Sequence, residues 1–123
     1  MRRDETGQGP IVTGFSGRGF RVRDDVFPEG LLLTPVRASR WSDAPSPEQL
    51  TLASLGDLLT IDPQPEFLLL GTGRGLRQPP RVFVRELENM GIGVEVMDSR
   101  AAARAWGVLR AEERWIVAAL LPL

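Results

Sequence analysis

The sequence contains no cysteine, histidine, lysine or tyrosine, and all 15 of its basic residues are arginines. The absence of cysteine excludes disulfides, a thiolate nucleophile and cysteine-ligated metals. The absence of histidine excludes an imidazole general base and a Ser-His-Asp triad. The absence of lysine excludes a Schiff base and the lysine of a P-loop. Any catalysis would therefore depend on Asp, Glu, Ser, Thr or Arg, and this inventory favours binding over chemistry.

The same absences restrict cofactors and partners. Zinc and iron lose their usual ligands, so only an oxygen-ligated cation such as Mg²⁺ would suit the chain, and we predict no metal and no other cofactor. The net charge is −1 and the arginines are spread along the sequence. This distribution provides no basic field for nucleic acid, so we predict no nucleic-acid partner.

The hydrophobic runs are short. The longest, at 115–121, has the length of a strand, and we predict no membrane insertion. Residues 1–10 lack the apolar stretch of a signal peptide, and Asp4 and Glu5 do not suit a mitochondrial transit peptide. We expect a cytoplasmic protein, and the exclusive use of arginine suggests a bacterial genome rich in G and C. The length of 123 residues predicts a single domain over 1–123.

The first half of the chain is rich in glycine and short apolar runs. Residues 10–14, 19–22 and 31–34 predict short strands of an N-terminal β-meander, with a turn at 27–30 and a possible strand at 36–38. Ser46 and Gln49 form the pattern of a capping box around Pro47. This pattern predicts a helix from Ser46 to about Leu55, ended by Gly56.

The second half alternates between strand and helix patterns. Residues 67–70, 92–97 and 115–121 predict strands, and the continuous apolar run at 67–70 reads as a strand covered on both faces. Between them, Pro79 and Pro80 open a helix through Asn89, and Ser99 caps a helix that extends to about Arg110. Alternating strands and helices predict an α/β fold with the meander beside its sheet.

The glycine loop, residues 71–75, follows the first of these strands. Its backbone N–H groups could receive an anion, with charge added by Arg74, Arg77 or Arg81. The pattern is G-x-G-x-G, because Leu76 occupies the position of the third glycine in a dinucleotide fingerprint, and the helix starts several residues later. The simpler interpretation, a tight exit from the strand, is favoured.

Two polar groups follow the next strand and the last helix. Asp98 and Ser99 lie at the carboxyl end of a predicted strand, where ligands bind in open α/β sheets, but both also suit helix capping. Glu112, Glu113 and Arg114 form a charged turn that is either solvated or contains a buried Arg–carboxylate pair.

Several segments together resemble the Mth-domain family of unknown function, which includes an adipogenesis-associated protein and mitochondrial complex I assembly factor 3. The segments are LLLGTG at 68–73, PP at 79–80, GIGVEVMDS at 91–99 and VLRAEERWIVAAL at 108–120. The resemblance implies a three-layer α/β fold with a central mixed sheet, flanking helices and one antiparallel strand. It also implies a pocket near the glycine loop and residues 97–99. The family often has Thr-Tyr-Asn where this chain has Ala105, Trp106 and Gly107, Cys at Ala103 and Gly at Glu113.

Two functions remain open. The first is a non-enzymatic protein-interaction or assembly module with an unknown protein partner, and a homodimer is one form of it. The alternative is a small anionic ligand-binding protein or weak enzyme, and whether the chain is an enzyme is left open. In that alternative Asp98 is a base or ligand anchor, Arg114 clamps the anion, and the Gly71–Gly73 amides cradle it. The predicted ligand-binding residues are therefore Gly71, Thr72, Gly73, Asp98, Ser99 and Arg114.

Overall fold

A computed structural model describes residues 9–123, so the sequence interpretation of residues 1–8 lies outside the described part of the chain. Over this range the chain forms strands and two α-helices, joined in the middle by three 3-10 turns. The helices are α1 (Arg81–Asn89) and α2 (Ser99–Ala111). The strands are β1 (Gly14–Ser16), β2 (Gly19–Val22), β3 (Asp25–Phe27), β4 (Leu31–Leu33), β5 (Ala38–Arg40), β6 (Phe67–Gly71), β7 (Gly93–Met97) and β8 (Val117–Leu120).

The central sheet has five strands in the order β5-β4-β8-β6-β7. β6 is parallel to both β7 and β8, whereas β4 is antiparallel to β8 and to β5. The mixed sheet with one strand antiparallel to the rest, which the family resemblance implied, is therefore confirmed. Because β6 and β7 are parallel, the loops after them meet at one edge of the sheet.

The sheet separates two hydrophobic cores, as the alternation of side chains along its strands requires. Leu68 and Leu70 of β6 pack into one core, and Leu69 between them packs into the other. The first core is covered by α1 and the 3-10 turns. The second is covered by α2 and the three-stranded meander β1-β2-β3. This arrangement confirms the three-layer fold, and it explains why 67–70 reads as a continuous apolar run.

The first half of the chain differs from the sequence prediction in its strands and in its helix. The first strand begins at Gly14, where the predicted one ends, and β5 begins at Ala38, where the strand predicted at 36–38 ends. The meander includes β3, which was not predicted, and the predicted third strand at 31–34 is instead β4 of the central sheet. The predicted helix from Ser46 to Leu55 is replaced by two 3-10 turns, Pro47–Gln49 and Leu52–Leu55, and Ser46 makes no capping hydrogen bond. Thr51 and Ser54 form a reciprocal capping box of their own, which restarts the turn after Leu50.

Neither helix in the described range has the length and apolar character that would be needed to cross a bilayer.

Candidate functional site

Five of the six predicted site residues meet at the carboxyl edge of the central sheet. Gly71 ends β6 and lies opposite Met97, the last residue of β7. Thr72 and Gly73 continue the first strand into the glycine loop, while Asp98 and Ser99 begin α2. The Thr72 amide donates to the Met97 carbonyl oxygen at 2.9 Å, which joins the two loops directly.

Ser99 is the centre of this junction. Its side chain is fully buried, and its Oγ donates to the Leu121 carbonyl oxygen at 2.7 Å and accepts from the Gly73 amide at 2.8 Å. The Ser99 amide in turn donates to the Gly73 carbonyl oxygen at 2.8 Å. One hydroxyl therefore fixes the glycine loop, the start of α2 and the segment after β8 relative to one another.

Asp98, and not Ser99, caps α2. The Asp98 Oδ1 atom accepts from the Ala101 amide at 2.9 Å, which satisfies one of the unpaired donors of the first helical turn. The prediction that Ser99 is the cap was wrong, because its hydroxyl points into the sheet edge instead. The capping interpretation is confirmed for Asp98, and a ligand role for either residue stays a prediction.

Gly71 and Thr72 shape the loop from inside. A Cβ on Gly71 would lie 2.7 Å from the Ser99 Oγ and 2.9 Å from its Cα, so only glycine permits this close approach. The Thr72 hydroxyl donates to the Gly75 carbonyl oxygen at 2.6 Å and accepts from the Arg77 amide at 3.1 Å. The amides of Thr72 and Gly73 are thus occupied by protein acceptors, and the predicted anion cradle cannot use them.

Arg114 lies at the opposite edge of the sheet, so its grouping with the other five residues was wrong. It precedes β8 and pairs with Glu66, which precedes β6, at 2.7 Å between Nη2 and Oε1. Five residue steps along β6 separate Glu66 from Gly71 at the start of the glycine loop, a length of about 16 Å. Arg114 cannot clamp an anion at the carboxyl edge from this position.

The Glu66–Arg114 pair has a measurable effect on titration. The hydrogen bond from Arg114 lowers the pKa of the Glu66 carboxyl, and the pair likewise raises the pKa of Arg114. Because the folded pKa of Glu66 is depressed, its stabilising contribution is present above the unfolded value of about 4.3 and is lost as the pH falls through the folded value.

We expect Arg114→Gln to return the pKa of Glu66 toward its ordinary value, as measured by carboxyl ¹³C NMR titration. The Arg77–Glu48 pair supplies a matched control, because Arg77 similarly lowers the pKa of Glu48 by hydrogen bonding. Arg77→Gln should raise the pKa of Glu48 and leave that of Glu66 unchanged. A Glu66 titration that is indifferent to Arg114→Gln would contradict the assigned pair.

The charged turn at 112–114 is bound by an inward-facing arginine at the end of α2. Arg110 is only 5% exposed, and its Nη1 donates to the Arg114 carbonyl oxygen at 2.6 Å. Burial lowers the pKa of Arg110, and the nearby charge of Glu113 opposes this effect. Glu113 has a positive φ of 63°, at a position where the resembled family often has glycine.

Sequence reasoning missed two residues that the fold brings to the carboxyl edge. Arg18 lies in the β1–β2 turn, and its Nε donates to the Leu123 carbonyl oxygen at 2.6 Å. Arg100 lies in the first turn of α2, with its Cζ 4.7 Å from the centre of the Phe15 ring. Arg100 could have been found from the sequence, because it directly follows Ser99, which was already predicted to lie at this edge. No local signal indicates Arg18, because its position depends on how the meander packs against the sheet.

Within residues 9–123, no three Asp or Glu side chains group closely enough to share a metal ion.

These features define an Mth938-like α/β domain, a class in which a mixed sheet separates a meander and one helix from a second helical layer. The chain belongs to the family described as "Protein of unknown function (DUF498/DUF598)", whose sequence profile matches residues 12–121.

The relatives of this chain include assembly factors. It is 30% identical over 118 residues to the NADH dehydrogenase [ubiquinone] 1 alpha subcomplex assembly factor 3 of Danio rerio, covering 96% of this chain and 67% of that protein. The corresponding factor of Drosophila melanogaster is 31% identical over 121 residues, covering 96% of this chain and 61% of that protein. An uncharacterised protein of Rhodobacter capsulatus is 31% identical, with coverages of 91% and 84%.

Solved structures show the same architecture. The crystal structure of a Bordetella parapertussis protein superposes with a TM-score of 0.82 at 35% identity, covering 93% of this chain and 96% of that one. The solution structure of an Mth938-like domain from Bordetella pertussis gives a TM-score of 0.80 at 30% identity, with coverages of 99% and 91%. The fold predicted from the resemblance is therefore confirmed.

Proposed function

We propose that this chain is a protein-binding module that acts in the assembly of a larger complex. The observation that supports this proposal best is its 30% identity to an assembly factor across 96% of its own length. The region shared with that factor is the three-layer domain itself. The chain spans about two thirds of such factors, so the proposal concerns this domain and not the activity of those proteins as a whole.

The surface offers apolar contacts for a partner. Val82 of α1 is 57% exposed and borders a depression of about 230 Å³ between α1 and the first 3-10 turn. Leu50, Pro80 and Phe83 line the same depression, with Glu48 and Glu86 at its margin. An apolar depression with a charged margin is typical of the centre and rim of a protein interface.

We expect Val82→Asp to weaken capture of a protein partner by about tenfold or more, because it places a charge in an apolar contact. The measurement is affinity capture of native lysate on immobilised protein, with quantitative mass spectrometry. Gln78→Asp is the matched control, because it adds the same charge at an exposed polar position nearby. Loss of the same partner with both variants would contradict the role of this surface. Capture of no partner by the unmodified chain would contradict the proposed function.

A second copy of the chain is one possible form of the partner. Within residues 9–123 the outer edges of β5 and β7 pair with no other strand, and such edges can accept a strand from another copy. Sedimentation of the purified chain distinguishes a homodimer from a module that binds a different protein. We also propose that the chain is a bacterial protein located in the cytoplasm. The amino-acid composition is the support for both statements.

The ligand-binding alternative has one observation in its favour. Five of its six residues converge at the carboxyl edge, where open α/β sheets usually bind ligands. It loses Arg114 as the clamp, and Oδ1 of Asp98, its candidate base, is occupied as a helix cap. A ligand at this edge would therefore have to be bound by other residues.

A further inference from the structure

Two depressions adjoin at the carboxyl end of β6. The first, of about 380 Å³, lies between the glycine loop, residues 44–47 and residues 121–123. The second, of about 590 Å³, is bordered by Gly17, Arg18, Arg74, Arg100 and Leu123. Because Arg18, Arg74 and Leu123 border both depressions, the two form one continuous cleft, which we call the arginine cleft.

The arginine cleft is positively charged on a chain whose net charge is −1. Four arginines border it, and no described carboxylate side chain does. Arg77 is neutralised by Glu48, with its Nε 2.9 Å from Oε2. Arg74 and Arg100 form no ion pair with any carboxylate side chain of residues 9–123, and Arg18 binds the main-chain oxygen of Leu123, the last residue of the sequence. Three positive charges therefore converge without an acidic side chain, an arrangement that favours an anion.

Two of these guanidinium groups are already oriented. The Nε of Arg18 is bound by the Leu123 carbonyl oxygen, which leaves its two terminal nitrogens for another acceptor. Arg100 is held over the Phe15 ring by a cation–π contact. A guanidinium fixed in this way loses less side-chain entropy when it binds an anion.

The glycine loop adds backbone donors to the same cleft. Among the described residues, the amides of Arg74 and Gly75, which both border the cleft, donate to no acceptor. Thr72 fixes the loop from inside, and Gly73 has a φ of 99°, a conformation that glycine adopts without strain. Consecutive free amides in a turn can form a concave anion-binding site.

We propose that the arginine cleft binds a small molecule that carries phosphate groups. A phosphate presents three or more acceptor oxygens, which matches several guanidinium forks together with backbone amides. The second depression, between Arg18, Arg74 and Arg100, receives one charged group. The first receives the rest of the molecule against Pro45, Pro47 and Pro122.

The dimensions of the cleft favour a small molecule over a polymer. Each depression falls in the range of roughly 300–1,000 Å³ that is usual for small-molecule sites. A nucleic-acid surface would require basic residues along a whole face, whereas the net charge here is −1. The site is separate from the α1 surface proposed for a protein partner, and the two proposals can fail independently.

The test is a titration with inorganic pyrophosphate at constant ionic strength, followed by ¹H–¹⁵N NMR and calorimetry. Pyrophosphate supplies adjacent phosphate groups without the rest of a larger ligand, so it tests the anion site between Arg18, Arg74 and Arg100 directly. We expect saturable binding with the largest shifts at the amides of Arg74, Gly75 and Arg100. We expect Arg74→Gln and Arg100→Gln each to weaken binding by about tenfold or more, because each removes charge-assisted hydrogen bonds.

Arg81→Gln and Arg104→Gln are the matched controls, because both remove one exposed positive charge outside the cleft and Arg104 lies one turn from Arg100 on α2. They should change the affinity by less than about twofold. Equal weakening by all four variants would overturn the site in favour of unspecific charge attraction. Absence of saturable pyrophosphate binding would overturn the proposal, as would binding of citrate or phosphatidic acid vesicles without binding of pyrophosphate.

Discussion

Trp106→Ala is expected to lower the free energy of unfolding by about 3–5 kcal/mol, the usual cost of removing a buried aromatic side chain. Trp106 is fully buried in the core between α2, the meander and the central sheet. Its Nε1 also donates to the Pro10 carbonyl oxygen at 2.8 Å, so it secures the segment that enters β1. Urea unfolding followed by far-UV circular dichroism measures this loss.

Two further variants separate the contributions of Trp106. Trp106→Phe keeps most of the ring but leaves the Pro10 carbonyl without its donor, so we expect a loss of about 1–3 kcal/mol. Trp115→Ala removes a tryptophan that is partly exposed, and should cost clearly less than Trp106→Ala. An equal loss at Trp106 and Trp115 would contradict the assignment of Trp106 as the core residue that joins α2 to the meander.

The position of Trp106 also explains one departure from the resembled family. Members often have tyrosine at this place, and the neighbouring Ala103 is buried as well. Both positions face the core of the domain and not the cleft at the sheet edge. The substitutions there therefore change packing, and they leave the residues of the glycine loop and the start of α2 as they are.

The second half of the fold could be predicted from sequence because its signals are local. Apolar runs marked β6 and β8, the segment at 92–97 marked β7, and helical periodicity marked α1 and α2 between them. Parallel strands joined by helices then place the loops after β6 and β7 at one edge, which brought Gly71, Thr72 and Gly73 together with Asp98 and Ser99.

The strand pairing of the first half could not be predicted, because β4 pairs with a strand that is distant in sequence. β4 pairs with β8, so Leu31 lies opposite Leu120, and nothing near Leu31 in the sequence shows this. The local pattern around Ser46 indicated one helix, but Thr51 and Ser54 close a separate turn instead. The two short turns bury Leu50 and Leu55 in the same core as Phe83 of α1, and a helix of this length has little stability without such packing.

The misplacement of Arg114 could have been avoided. It lies three residues before the start of β8, which is parallel to β6, so it must lie at the amino end of the sheet beside Glu66. The glycine loop follows β6 and lies at the carboxyl end. The order of residues along parallel strands therefore places Arg114 and the glycine loop at opposite ends of the sheet. In contrast, Arg18 meets Arg74 and Arg100 only because the meander packs beside the sheet, and the sequence does not show this packing.

Ser99→Ala is expected to lower the free energy of unfolding by about 2–5 kcal/mol, because it leaves the buried Gly73 N–H and Leu121 C=O without partners. This loss exceeds the cost of about 1 kcal/mol for removing a helix cap, which we expect for Asp98→Ala.

Ser42→Ala is the control, since Ser42 is exposed. Unfolding in urea gives the free energies, and hydrogen exchange of the Gly73 amide should accelerate in Ser99→Ala alone. A loss equal to that of Asp98→Ala would reduce Ser99 to an ordinary residue of the first helical turn. A larger loss means that one hydroxyl holds the glycine loop in the shape on which the arginine cleft depends.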